Sequence, residues 1–299
     1  MKKVLCIFSV LCLFLSQITV KAAENTDNTS TTLQISEIDY FLSLKKCTDE
    51  ELSANGLTES QIRYIREFNL VQAIKERGNL SESNLKELGY NNKEIAILKN
   101  ICKKRNITEE EISKEFRGAT LTLTLNKPTT SKSRYTYNFS FSWSSCPIFI
   151  QSDLLAATWS ATGSNGSPVN VAINKSLSKL TTNYKTTGGY PNMGSVSYKW
   201  GITHEYRAAS IKFDMGHNVG NGMSYWTQSG SGRLVLDAVV SNTIYEVYLK
   251  FGYGHSIVTG TPSVSFSGSG PSIGMTFGWT TQNEKTYSVR YRYDGKKVS

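Results

Sequence analysis

The chain has 299 residues, 39% of them hydrophobic, and a formal charge of +9. Residues 119–299 carry 16 Lys/Arg against 7 Asp/Glu, whereas residues 23–118 carry 14 against 17. Two of the five cysteines fall before residue 23, so the three that follow allow at most one internal bridge and exclude a disulfide framework.

Residues 1–22 read as a secretory signal. Lys2 and Lys3 form the charged start, Val4–Leu15 is apolar, and Val20-Lys21-Ala22 offers small residues for cleavage. The apolar run is shorter than the ~20 residues of a spanning helix, so the mature protein is expected outside the cell or at its surface. Residues 23–33, rich in Asn and Thr, read as a disordered leader.

Residues 34–118 read as a helical repeat. Thr48 to Arg66 aligns with Ser81 to Lys99 at a constant offset of 33, and Thr108 opens a truncated third copy. Thr48/Glu51, Thr58/Gln61, Asn91/Glu94 and Thr108/Glu111 each place a capping oxygen three residues before Glu or Gln. That spacing satisfies free N–H groups reciprocally at a helix start. Gly56 and Gly89 fall where a short helix must turn into a longer one. Cys47, Leu80 and Ile107 precede the caps, where an apolar residue staples the first turn. Copies of this size bury too little alone and should pack on one another. The pattern is similar to small helical repeats of secreted Gram-positive proteins, and serves either as a binding or pro-segment module or as a spacer.

Beyond residue 118 the period changes from helix to strand. Thr120–Leu125 alternates strictly, and Tyr135, Tyr137, Phe139, Phe141 and Trp143 occupy odd positions. Further strands are expected at Val169–Ile173, Ser195–Trp200, Ser210–Met215, Gly232–Val240, Ile244–Phe251, His255–Val258 and Thr286–Tyr293, with Leu154–Trp159 readable as strand or helical turn. The clearest sample is Thr261–Thr281, where Val264 and Phe266, then Ile273, Met275, Phe277 and Trp279, alternate with Ser, Thr and Gly around a Ser-Gly-Ser-Gly-Pro joint. The fold class is therefore α+β: a small helical repeat segment, then an antiparallel all-β sandwich or barrel over residues 119–299.

Chemistry-bearing residues are sparse. Cys47 and Cys102 are the candidate disulfide. No cysteine spacing matches a zinc site, and HExxH, Gly-x-Ser-x-Gly and P-loop patterns are missing from the sequence. No cofactor or metal is expected. His204, Glu205 and His217 could serve a hydrolase only if they converge. Tyr190, Tyr225, Trp226, Tyr253 and His217, in or beside Gly-rich stretches, are candidate ligand contacts. Val264, Phe266, Ile273, Met275, Phe277 and Trp279 are a candidate membrane hairpin, since a strand with one apolar and one small polar face suits a transmembrane barrel.

The leading expectation is a non-enzymatic surface binding protein. A basic exported domain is attracted to an anionic cell-wall polymer, a glycan or an extracellular protein, with a membrane as a further candidate and nucleic acid not expected. The runner-up is a pore-forming protein whose helical segment keeps the β-domain soluble, and the third reading is a secreted hydrolase.

Overall fold

The computed structural model describes residues 30–33, 37–187, 194–219, 222–239, 243–258, 260, 262–268, 273–278 and 281–298, with backbone alone at 30–33, 217–219, 222–224 and 281–286. The expected signal and Tyr190 and Trp279 lie outside the described residues.

Among the described residues, seven helices follow the short strand Ser30–Leu33: α1 (Glu37–Lys46), α2 (Asp49–Ala54), α3 (Glu59–Glu67), α4 (Leu70–Asn79), α5 (Glu82–Glu87), α6 (Asn92–Lys103) and α7 (Glu109–Glu115). All four reciprocal caps form, at Thr48, Thr58, Asn91 and Thr108. The turns between α2 and α3 and between α5 and α6 match bond for bond. Leu57 N–H donates to Leu52 O as Tyr90 N–H donates to Leu85 O. Gly56 and Gly89 take φ values of 87° and 85°, the left-handed conformation that ends a helix this way. A side-chain contact repeats as well. Arg66 donates to Cys47 O, and Lys99, 33 residues on, donates to Leu80 O at 2.5 Å. α4 packs closely on α6 because Gly78 has no Cβ, which would lie 2.6 Å from Leu98 O.

The rest of the described chain is antiparallel sheet. The first sheet holds β1 (Ser30–Leu33), β2 (Leu121–Leu125), β4 (Arg134–Trp143), β13 (Gly222–Ala238), β8 (Lys179–Thr186) and β9 (Ser195–Lys199) in that order. β3 (Thr129–Thr130) pairs with β4, and β7 (Val171–Ile173) and β12 (Gly216–Val219) pair with β13. The second sheet runs β10 (Gly201–His204), β11 (Ala208–Asp214), β5 (Ser152–Thr162), β14 (Glu246–Ser256), β17 (Thr281–Arg292), with β6 (Pro168–Val169) on β5. β15 (Val264–Ser267) and β16 (Gly274–Phe277) form a two-stranded sheet of their own.

The odd-numbered aromatics of β4 point at the second sheet. Phe139 meets Phe251 at a 4.9 Å ring separation, and Phe141 meets Phe213 at 5.2 Å and Tyr253 at 5.0 Å. This core runs unbroken into the helices, so both parts of the chain share one apolar interior.

Several expectations are corrected. Ser30–Leu33, expected in a disordered leader, pair with β2 and occupy an edge whose N–H and C=O groups would otherwise be unpaired. Gly222–Ala238 is one long strand where a loop and a shorter strand were expected. Its glycines answer the rings of β4: Gly230 and Gly232 sit in register with Phe141 and Phe139, and a Cβ at Gly232 would lie 2.6 Å from Phe139 Cζ. Cys47 and Cys102 form no disulfide. Their sulfurs lie against Ser43 O and Lys75 O respectively, so each thiol is engaged by a backbone carbonyl.

Equivalent glycines in the two units face different surroundings. A Cβ on Gly56 meets nothing within 4 Å, whereas one on Gly89 would lie 2.9 Å from Ser144 O in the β-region. Gly56→Ala should therefore cost only the left-handed backbone penalty, about 1–2 kcal/mol. Gly89→Ala should cost clearly more, because backbone must also move. Urea denaturation of both variants checks the order.

Candidate functional site

Charged side chains gather where the helices meet the sheets, and they are fully buried. Asp153 lies at the start of β5, His255 near the end of β14 and Glu37 at the first position of α1, each with no exposed surface. His255 Nδ1 is 3.0 Å from both Asp153 oxygens. On the opposite side of the ring, Nε2 is 3.6 Å from Glu37 Oε2, an ion-pair distance too long for a hydrogen bond. Tyr253 donates to Asp153 Oδ2 at 2.6 Å and accepts from Trp143 Nε1 at 3.1 Å. Ser256 N–H donates to Asp153 Oδ1 at 3.0 Å.

Glu37 is held by backbone as well. Ile148 N–H donates to its carboxylate at 2.8 and 3.0 Å, and Phe149 N–H at 3.2 Å. The same stretch of β-region receives Arg77 from α4. The guanidinium donates to Tyr90 Oη at 2.8 Å, Cys146 O at 3.3 Å and Pro147 O at 3.2 Å. Tyr90 also donates to Cys146 O at 2.8 Å, and Cys146 N–H donates to Leu88 O at 2.7 Å. Residues 144–149 are thus a seat gripped by two charges of opposite sign from the helices, a buried Glu37 and a half-buried Arg77.

The electrostatics follow from this packing. Burial alone would push the His255 pKa down, but the Asp153 charge and hydrogen bond, and then Glu37, raise it to about 9. His255 is an imidazolium at neutral pH. Burial, reinforced by Asp153, holds the Tyr253 hydroxyl well above its usual range. Burial pushes the Cys146 thiol up to about 11, with Arg77 opposing. The arrangement cannot gather a metal, since the two carboxylates lie on opposite sides of the imidazole. Among the described residues no three His, Cys, Asp or Glu side chains converge to hold an ion.

A second feature is the β15–β16 hairpin. Val264 pairs with Phe277 and Phe266 with Met275, while Ser265 and Thr276 face outward and are exposed. The apolar side lies on Leu154 and Ala156. A Cβ on Gly252 of β14 would lie 2.9 Å from Met275 Cε. β5 is consequently buried on both faces over Asp153–Trp159. The hairpin leaves and rejoins a ladder, because Ser256 of β14 pairs with Thr281 of β17.

The aromatic ligand contacts expected from sequence come out differently. Trp226 and Tyr253 lie within the long strands β13 and β14 and are fully buried. Tyr225 is half-buried and edge-on to Tyr184 at 5.3 Å. His217 sits in β12 opposite Tyr225, and its side chain lies outside the described residues. His204 and Glu205 are exposed, at the end of β10 and in the turn after it. Of the hairpin residues, Ile273 and Phe277 are buried and Val264, Phe266 and Met275 half-buried. Sequence reasoning passed over Asp153 and Glu37 and placed His255 only as the first residue of an expected strand, with no partner. The available signal was a lone acid heading the apolar run Leu154–Ala157.

No protein-family profile matches the chain, and no curated protein matches it. Solved structures that resemble it include AvmM, which catalyses macrocyclization in alchivemycin A biosynthesis. That match has 8% identity, a TM-score of 0.29, and covers 58% of this chain and 88% of AvmM. Another is Clostridium perfringens delta-toxin, with 12% identity, a TM-score of 0.17, and coverage of 60% of this chain and 88% of the toxin. Likenesses this low define neither fold nor function.

Removing one partner from a buried ion pair leaves an uncompensated charge. Asp153→Asn should therefore destabilise the protein by about 3–5 kcal/mol in urea denaturation at neutral pH. The pH dependence has a definite sign. His255 has a raised pKa, so its contribution is complete below about 6.5 and is lost as pH rises through about 9. The urea midpoint should fall across that window, and His255→Gln should flatten the fall.

Proposed function

We propose that the chain is a secreted, membrane-active protein of the pore-forming kind. In this reading the two larger sheets make a sandwich, β15–β16 is the membrane-inserting hairpin, and the helical segment keeps the β-region soluble. The observation that supports it is the hairpin's placement. It stands outside both larger sheets, with its apolar side chains laid on Leu154 and Ala156 and its polar side in water. Such a hairpin trades one apolar cover for another when it moves into lipid, and keeps its Ser and Thr face wet. The excess of basic residues after residue 118 would draw it to anionic headgroups.

A second reading, attachment to a surface polymer, glycan or extracellular protein, is favoured by one observation. Ile202 and Tyr206, the large hydrophobics exposed among the described residues, flank His204 and Glu205 at the tip joining β10 to β11. A tip of this kind can also seat against a lipid interface, so it serves either reading.

The test is dye release from anionic vesicles by the full chain. Phe266→Arg places a charge on the lipid-facing side, where it costs about 2–4 kcal/mol at mid-bilayer. It should cut release at least tenfold. Ser265→Arg, on the opposite side, should leave release nearly unchanged. Equal effects of the two substitutions, or vesicles that stay intact, would overturn the reading; retention on purified cell wall with intact vesicles would favour the second.

A further inference from the structure

The helical segment touches the root of the hairpin twice. Glu37 faces His255, one residue before β14 ends. Gln61, in the capped first turn of α3, lies against Gly260, where a Cβ would come within 2.6 Å of its Nε2. The contacts of Arg77 and Tyr90 with residues 146 and 147 hold the same seat.

We propose that the helical segment is a releasable clasp on the root of the hairpin, and that His255, set between Asp153 of β5 and Glu37 of α1, is the proton-operated catch that keeps it closed. The geometry makes His255 the cation in a row of carboxylate, imidazolium, carboxylate. Each acid belongs to a different part of the chain: Asp153 stays with the β-region, while Glu37 leaves with the helices. When the ring loses its proton, Glu37 faces Asp153 across a neutral imidazole, and like charges then favour separation.

The groups around the catch are few. From β14 comes Tyr253, and from β4 the Trp143 ring, whose centroid is 4.8 Å from that of His255. Behind Glu37 lie Arg77 of α4, Tyr90 and Cys146. Burial holds Tyr90 above its usual range and Cys146 near 11. Arg77, half-buried, is kept charged by Tyr90, Cys146 and Glu37. His255, raised to about 9, therefore titrates before its tyrosine and cysteine neighbours as pH rises. The clasp is closed below about pH 6.5 and loosens as pH rises through about 9. Undocking removes only the Glu37 share of the shift, because Asp153 remains beside the ring. The opening ratio should change by on the order of tenfold across that window.

Cys146 supplies the readout. It is fully buried, and its backbone N–H and carbonyl are both held by the helices. In a Cys6→Ser, Cys12→Ser, Cys47→Ser, Cys102→Ser background of the full chain, the rate of Cys146 alkylation is measured across pH. It is divided by the rate for the urea-unfolded chain at the same pH, which removes the thiolate fraction. The expected result is a roughly tenfold rise in the ratio between pH 6.5 and above 9, exceeding the globally unfolded fraction from urea extrapolation. Glu37→Gln should raise the ratio at low pH and flatten the profile, and His255→Gln should do the same. A flat profile in the Glu37- and His255-containing background, or a Glu37→Gln profile that keeps its slope, would overturn the clasp. This measurement involves no membrane, so it stands or falls separately from the membrane-active reading.

Discussion

The organisation of the molecule turns on how a carboxylate at the start of α1 is satisfied without water. A helix start offers Glu37 a favourable dipole, yet the side chain is carried away from its own helix to the N–H groups of Ile148 and Phe149. Burying a charge this deeply is tolerated only where hydrogen bonds and an opposite charge surround it. His255 supplies the charge from one side, and Asp153 in turn keeps His255 protonated. The helical segment is therefore joined to the sheets by a polar device set inside an apolar core. Such joints contribute little net stability over well-packed hydrocarbon but are intolerant of losing a member.

The second constraint is the two-sided burial of β5. Most strands here have one face toward the core, as the alternating burial of β4 shows. β5 has Leu155, Ala157 and Trp159 toward the main interior and Leu154 and Ala156 under the hairpin. A strand covered on both faces needs apolar residues at consecutive positions. The hairpin is held there by side-chain packing, with Ile273 and Phe277 as its buried anchors.

Much of the local structure was legible in the sequence because its cause is local. The caps at Thr48, Thr58, Asn91 and Thr108, and the turns at Gly56 and Gly89, depend on side chains three residues apart or on backbone chirality. Each formed as spacing dictated. The alternation of β4 and of Val264–Phe277 was equally readable. What escaped depends on partners far along the chain. β13 hides behind Gly230 and Gly232, glycines that look like a loop until the rings of Phe139 and Phe141 are placed beside them. β8 went unnoticed because its buried positions are Leu180, Thr182 and Tyr184, a weakly apolar set. The candidate site was missed for the same reason: Glu37, Asp153 and His255 are more than a hundred residues apart in sequence, and none carries a local pattern. Trp226 and Tyr253 were taken for loop aromatics because glycine flanks them, yet glycine within these strands makes room for packing.

The ladder between β14 and β17 closes at Ser256 and Thr281 before the intervening residues begin their excursion. Its two ends are therefore pinned together by the sheet, whatever lies between them. Length and composition of the excursion are uncoupled from the register of the strands that carry it. Exchange of that insert for a tight turn, or for a foreign segment, would leave the main interior intact and bare a narrow greasy strip at Leu154 and Ala156. Variation among descendants of such a chain would accumulate there first, with the scaffold beneath held constant.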